Sequence, residues 1–257
     1  MFPTLLKIGP LTLRTYGLFV AIGFFAAMQY LLRRRKPAGV SEGQTLDLIL
    51  YTIVIGLLGA RITYVVINWS FFAHRISDIF KVWEGGLVFY GGFLTGLATI
   101  ICYTAFHKEL RLWSIFDLFA PAIALGHVFG RLGCLFAGCC YGLPTSLPWA
   151  LRFSNPQSLS PLNVALHPTQ LYEALGNLAI FVVLDRYNRS RHPEGYAFGA
   201  YLAMYAVLRF LIEFVRGDER GGLLWGLSPS QITAIVAVGC SGVIFLWRRG
   251  KYGTIER

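Results

Sequence analysis

The chain has 257 residues, 55% hydrophobic and only 14% charged, with a mean hydropathy of +0.56. That composition excludes an ordinary soluble domain and fits a polytopic membrane protein. The net charge of +10 does not imply nucleic acid, because the basic residues cluster in short loops between apolar spans.

Residues 1–15 are short, mixed and proline-containing. The first span runs from about Tyr16 to Leu32 and is followed by Arg33-Arg34-Arg35-Lys36. A cleavable signal peptide carries its charge before the apolar run, so this order indicates an anchored helix with its C-terminal end in the cytoplasm. Span two covers about 45–68 and carries Arg61. Span three begins near Gly85-Gly86-Leu87-Val88-Phe89-Tyr90-Gly91-Gly92 and ends near Phe106. Span four, about 113–131, includes Asp117, His127 and Arg131. The segment 132–166 is too polar to span and too long for a tight turn, and it holds a possible strand, 149–153. Span five starts near His167-Pro168-Thr169-Gln170-Leu171-Tyr172-Glu173 and ends before Arg186. Span six runs from about Tyr196 to Val215, and a polar loop, 216–222, follows. Span seven covers about 229–247.

The expected fold is therefore an all-α integral membrane protein of about seven transmembrane helices. Residues 1–257 read as one membrane domain, with 132–166 as an extracytoplasmic cap between helices four and five. The loops after spans one, three, five and seven hold 13 of the 23 Lys and Arg. The positive-inside rule then puts the N-terminus outside and the C-terminus in the cytoplasm. The cap, the starts of spans three and five, and the end of span six would meet on the outer side. No internal repeat suggests a transporter built from inverted halves.

The charged residues on that side carry the chemical signal. Arg131 stands at membrane depth, where a guanidinium either snorkels to the interface or faces a cavity or charged partner. The other intramembrane charges can be grouped around the same cavity. Glu173 lies near the start of span five. Arg209 and Glu213 are four apart on one helix face, which makes them an ion pair locking helices or part of an anion site. Arg131, Arg209 and Arg216 present planar forks suited to phosphate, and carboxylates to hold them would complete a phospholipid headgroup site. Tyr16, Tyr90, Tyr172 and Tyr205 fall near the outer boundary, as aromatic-belt residues do. Asp117 reads as structural, and Cys102 and Cys240 as buried small apolar residues. Cys134, Cys139 and Cys140 could hold a disulfide on the oxidising face or simply pack; a metal would need a fourth ligand that the spacing does not supply. No metal or cofactor is expected.

Taken in order, several fragments resemble the prolipoprotein diacylglyceryl transferases of the bacterial inner membrane. They are Arg14-Thr15-Tyr16-Gly17, Gly59-Ala60-Arg61, Val82-Trp83-Glu84-Gly85-Gly86 and Gly130-Arg131-Leu132-Gly133. The series continues through His167-Pro168-Thr169-Gln170-Leu171-Tyr172-Glu173 and Tyr205 to Arg209-Phe210-Leu211-Ile212-Glu213-Phe214. The resemblance implies transfer of the diacylglyceryl group of phosphatidylglycerol to the lipobox cysteine of a prolipoprotein signal peptide. A thioether forms and glycerol 1-phosphate leaves. It implies that Arg131 and Arg209 hold or activate the phosphate, that Tyr16 and Tyr205 line the site and that Glu213 braces it. Glu173 and Gly142 are also expected at the substrate site.

Three positions depart from the family pattern. Tyr90 stands where the family usually has its candidate base, a histidine. Cys134 replaces an asparagine, and Ala137 and Cys139 lie near another asparagine or glutamate. His127, one turn before Arg131 on the same face, is an alternative base, with Tyr90 as its partner or as a lipid contact; it equally reads as a satisfied buried histidine. A related transferase with another lipid or acceptor, or a phospholipid-binding or transport protein without chemistry, are the competing functions.

Overall fold

A computed structural model describes residues 2–9, 11–82, 85–218 and 226–252. Trp83-Glu84 of one family-like fragment and residues 219–222 of the polar loop lie outside these. In order, the elements are β1 (Thr4–Ile8), β2 (Leu11–Arg14), α1 (Thr15–Arg34), α2 (Glu42–Ile67), α3 (Trp69–Phe72), α4 (Phe89–Phe106), α5 (Leu112–Ala137), β3 (Leu151–Arg152), β4 (Ala165–Leu166), α6 (Thr169–Tyr187), α7 (Tyr196–Glu213) and α8 (Pro229–Tyr252). Short 3₁₀ turns occupy Lys36–Ala38 and Ile76–Phe80. The segment before α1 is more regular than expected where it is described: β1 and β2 pair antiparallel.

Six of these helices, α1, α2, α4, α5, α7 and α8, are long and apolar enough to cross a membrane. The protein is a multi-pass membrane protein. The remaining predicted span, span five, is α6, which has 19 residues and so extends about 28 Å. It buries Gln170, Glu173, Asn177 and Asp185. Its polar groups face the protein interior, where they find partners that lipid could not provide.

The chain forms two compact units, Leu32–Ile115 and the remainder. In the first, α2 and α4 approach through small residues. A Cβ on Gly59 would collide with Thr95, and one on Gly91 would lie 2.6 Å from the Gly59 carbonyl. This is the close backbone packing that membrane helices use in place of a hydrophobic driving force. Arg61, expected to join the other intramembrane charges around one cavity, is instead taken up by backbone carbonyls of its own unit. It donates to the carbonyls of Asp78 (2.6 Å), Ile79 (2.9 Å), Gly85 (2.7 Å) and Gly86 (3.1 Å), and lies over the rings of Tyr64 and Phe72. Its charge is spent on holding the loop before α4. Tyr90, in the first turn of α4, is 53% exposed with its ring against Phe89.

The second unit contains α6, α7, α8 and most of α1 and α5. At one end, Asp117 of α5 accepts from the backbone N–H groups of Gly195 (2.6 Å) and Phe198 (2.8 Å). Gly195 is the N-cap of α7 and has no side chain to cap with, so a carboxylate from another helix does so. The structural reading of Asp117 holds. Asp117→Ala should lower the melting temperature in detergent, at a cost of about 1–2 kcal/mol, while catalytic turnover at permissive temperature stays close to normal. Differential scanning fluorimetry beside a transfer assay reads both.

Cys102 of α4 and Cys240 of α8 are exposed rather than buried. Both sit on helices that cross the bilayer, where a small weakly polar side chain is as well placed against lipid as in a core.

Candidate active site

At the opposite end of the second unit, α5 runs further than the sequence suggested. Neither Gly130 nor Gly133 ends it; the helix continues to Ala137. Gly133 instead admits α1, since a Cβ there would lie 3.1 Å from the Tyr16 ring and 3.2 Å from Phe19. Tyr16 is thereby placed beside the last turns of α5, 44% exposed. The helix stops at Gly138, whose φ of +72° suits glycine. The Gly138 N–H donates to the Leu135 carbonyl (3.3 Å) and the Cys139 N–H to the Cys134 carbonyl (3.2 Å). This paired closure satisfies the last carbonyls of the helix and folds Cys139 back onto Cys134.

The start of α6 receives that loop. Thr169 Oγ1 donates to the Cys140 carbonyl (2.6 Å) and Gln170 Nε2 to the Cys139 carbonyl (2.7 Å). Trp149 Nε1 donates to the Tyr172 hydroxyl (2.7 Å), tying the cap to the same helix start. The possible strand at 149–153 appears as the two-residue β3, paired antiparallel with β4. Phe153, Leu135 and Leu166 form the small core beneath it. Gly142 has a packing role: a Cβ there would lie 2.8 Å from the Val215 carbonyl and collide with His167. Its N–H donates to the His167 carbonyl (3.1 Å), and the residue bridges to Arg216.

Glu173, one turn into α6, is the centre of the site. It is 1% exposed and faces three arginines. Arg131 Nε is 2.5 Å from its Oε2, and Arg209 Nε and Arg216 Nη1 are each 3.7 Å from its Oε1. Arg209 also meets Glu213 at 2.5 Å and donates to Ser230 of α8 (2.8 Å). Arg216 is gripped by Asp218 at 2.6 and 3.1 Å. Burial would push the Arg216 guanidinium down, but its hydrogen bonds to Asp218, with Cys140 and Glu173 nearby, raise it instead and keep it charged. Arg209 Nη1 and Arg216 Nη1 are both shielded from solvent, and neither has a hydrogen-bond partner among the described residues. A buried guanidinium N–H without a partner is costly, and an anionic oxygen is the group that would satisfy it.

His127 lies a turn below Arg131. Its Nδ1 is 3.4 Å from the Tyr201 hydroxyl, and its ring stacks on Tyr205 at 5.1 Å. Of the residues expected at the site, Arg131, Arg209, Glu173, Glu213, His127, Tyr205, Tyr16 and Gly142 all belong to this unit. Tyr90 belongs to the other.

A family model for prolipoprotein diacylglyceryl transferase matches residues 3–247. The chain belongs to the prolipoprotein diacylglyceryl transferase family. Among its relatives, a phosphatidylglycerol–prolipoprotein diacylglyceryl transferase of Bordetella parapertussis is 37% identical, covering 95% of this chain and 94% of its own length. Enzymes of the same name from Clostridium tetani (93% and 94% covered) and Thermosynechococcus vestitus (96% and 93%) are each 33% identical.

Within this family member, the His-Pro-Thr-Gln-Leu-Tyr-Glu fragment acquires a physical account. Thr169 and Gln170 fix the cysteine loop, Tyr172 anchors the cap, and Glu173 collects the arginines. What sequence reasoning missed is the convergence on Glu173 and the parts played by Asp218 and Ser230. The available signal for Asp218 was a carboxylate two residues after an arginine at a helix end.

Proposed function

We propose that this chain transfers the diacylglyceryl group of phosphatidylglycerol to the lipobox cysteine thiol of a prolipoprotein signal peptide. The thiol sulfur bonds to the glyceryl carbon, the carbon–oxygen bond to phosphate breaks, and glycerol 1-phosphate leaves with that electron pair. The observation that carries the reading is the trio Arg131, Arg209 and Arg216 around Glu173, with two buried N–H groups left for an anion. Such a cluster holds a phosphate in the ground state and stabilises the charge that builds on it as the bond breaks. Tyr16 and Tyr205 line the lipid side, and Glu213 braces Arg209. The site faces the outer leaflet of the bacterial inner membrane, with the N-terminus outside and the C-terminus cytoplasmic, in one membrane domain capped by 132–166. The test is incubation of purified protein with acyl-labelled phosphatidylglycerol and a lipobox peptide. Labelled peptide and free glycerol 1-phosphate are expected, and none with a serine-for-cysteine peptide. Tight lipid binding without labelled peptide would make the protein a phospholipid-binding scaffold.

We further propose His127 as the group that takes the acceptor proton, with Tyr90 as a lipid contact. His127 stands on the arginine side of α5 with polar neighbours that orient its ring. His127→Ala should lower turnover roughly a hundredfold with little change in lipid binding, whereas Tyr90→His is tolerated. Unchanged turnover of His127→Ala over the neutral pH range would assign proton removal to solvent or another group.

A further inference from the structure

The three cysteines at the end of α5 are not used by the reading above, yet the fold takes trouble to gather them. Their sulfur atoms all lie within 4.8 Å of one another. Three independent restraints produce this. The paired closure of α5 turns Cys139 back onto Cys134, the fully buried Thr169 and Gln170 clamp the Cys140 and Cys139 carbonyls, and Cys140 is held at a φ of +60°. A non-glycine residue in that region is strained by about 1 kcal/mol or more and persists only where its surroundings enforce it. Cys140 is buried while Cys134 and Cys139 are partly accessible, so the cluster is closed on one side and approachable on the other. Arg131 and Arg216 both lie within electrostatic reach of Cys140.

We infer that Cys134, Cys139 and Cys140 form a three-thiolate site for a zinc ion, with an open fourth position. Zinc–sulfur bonds of about 2.3 Å arranged tetrahedrally place the sulfurs about 3.8 Å apart, inside the 4.8 Å that bounds their present separations. Thiolates select zinc or cuprous ions over harder cations, and the oxidation-inert, tetrahedral ion is the one that leaves a position for a fourth ligand. Three thiolates and Zn²⁺ carry a net negative charge, which the neighbouring arginines balance. Any disulfide among the three would leave one thiol over, whereas the metal uses all of them. Among the described residues no fourth ligand joins the three cysteines; three protein ligands with an open fourth position, which argued against a metal in the sequence, are the pattern of a catalytic site rather than a structural one.

The fourth position suits the acceptor thiol, and this part rests on the transferase reading. The lipobox thiol binds zinc and releases its proton to the base or to water. Its sulfur then attacks the glyceryl carbon as a metal-held thiolate, the carbon–oxygen bond breaks, and the phosphate stays on the arginines as it leaves.

The test begins with metal content, independent of activity. Full-length protein purified under reducing conditions should carry one zinc per chain by elemental analysis. Replacing it with Co²⁺ should give thiolate-to-metal charge-transfer absorption. Cys134→Ser and Cys139→Ser should lose both signals while retaining phosphatidylglycerol binding, and Cys240→Ser should keep them. Wild-type protein with all thiols reduced and no retained Zn²⁺ or Co²⁺ overturns the site, as does a Cys134 disulfide in protein isolated without reductant. Peptide labelling that disappears on chelation and returns with zinc supports the fourth-position role. Equal labelling by zinc-loaded and stripped protein overturns that role and leaves the metal site standing. Zinc binding with no labelling under any condition counts against the transferase reading, not against the site.

Discussion

Glu173→Gln should be the most damaging single change in the molecule. The carboxamide keeps the shape of the side chain but removes the one charge shared by Arg131, Arg209 and Arg216. Breaking a buried ion cluster from one side leaves the remaining charges uncompensated, at about 3–5 kcal/mol. Glu213 and Asp218 still neutralise Arg209 and Arg216, so Arg131 loses most. The expected outcome is a large drop in thermal stability in detergent together with loss of phosphatidylglycerol binding and transfer. Fluorimetric melting and a lipid-binding assay on the same preparation measure the two. A variant with wild-type melting and turnover would show that Glu173 does not organise the arginines.

Arg131→Lys and Arg209→Lys should each lose most activity while still inserting and folding. Lysine preserves a positive charge beside Glu173, so the ion cluster survives in reduced form. What it cannot supply is the planar fork with two parallel N–H donors. A charge-assisted hydrogen bond lost from the transition state costs about 1.5–3 kcal/mol, or roughly tenfold to more than a hundredfold in rate. Arg209 is the sharper case, because one fork carries Glu173, Glu213 and Ser230 contacts and still has a buried N–H in hand. Single-turnover rates with labelled phosphatidylglycerol, normalised to inserted protein, are the measurement. Near-normal rates in both variants would remove the phosphate-clamp role.

The membrane class, the order of the helices and the pairing of Arg209 with Glu213 were legible without coordinates. A bilayer demands long apolar runs with satisfied backbones, and helical spacing makes residues four apart neighbours wherever the helix packs. The ordered fragments also pointed to the family. Tertiary structure decided the rest. Arg61 resembles Arg131 in the sequence, an arginine inside an apolar span, yet one satisfies four carbonyls of its own unit and the other joins Glu173. The run of α5 through Gly133 to Ala137 was set by packing on α1, which overrode the breaking tendency of its glycines. The polar residues of α6, which weaken it as a lipid-facing span, are accounted for only by the partners they meet inside. Glu173 became a centre because α5, α6 and α7 bring together side chains more than thirty positions apart, and no local periodicity encodes such a meeting. Hydropathy reports how each segment stands toward lipid; which charges share one buried carboxylate depends on how the helices pack against one another.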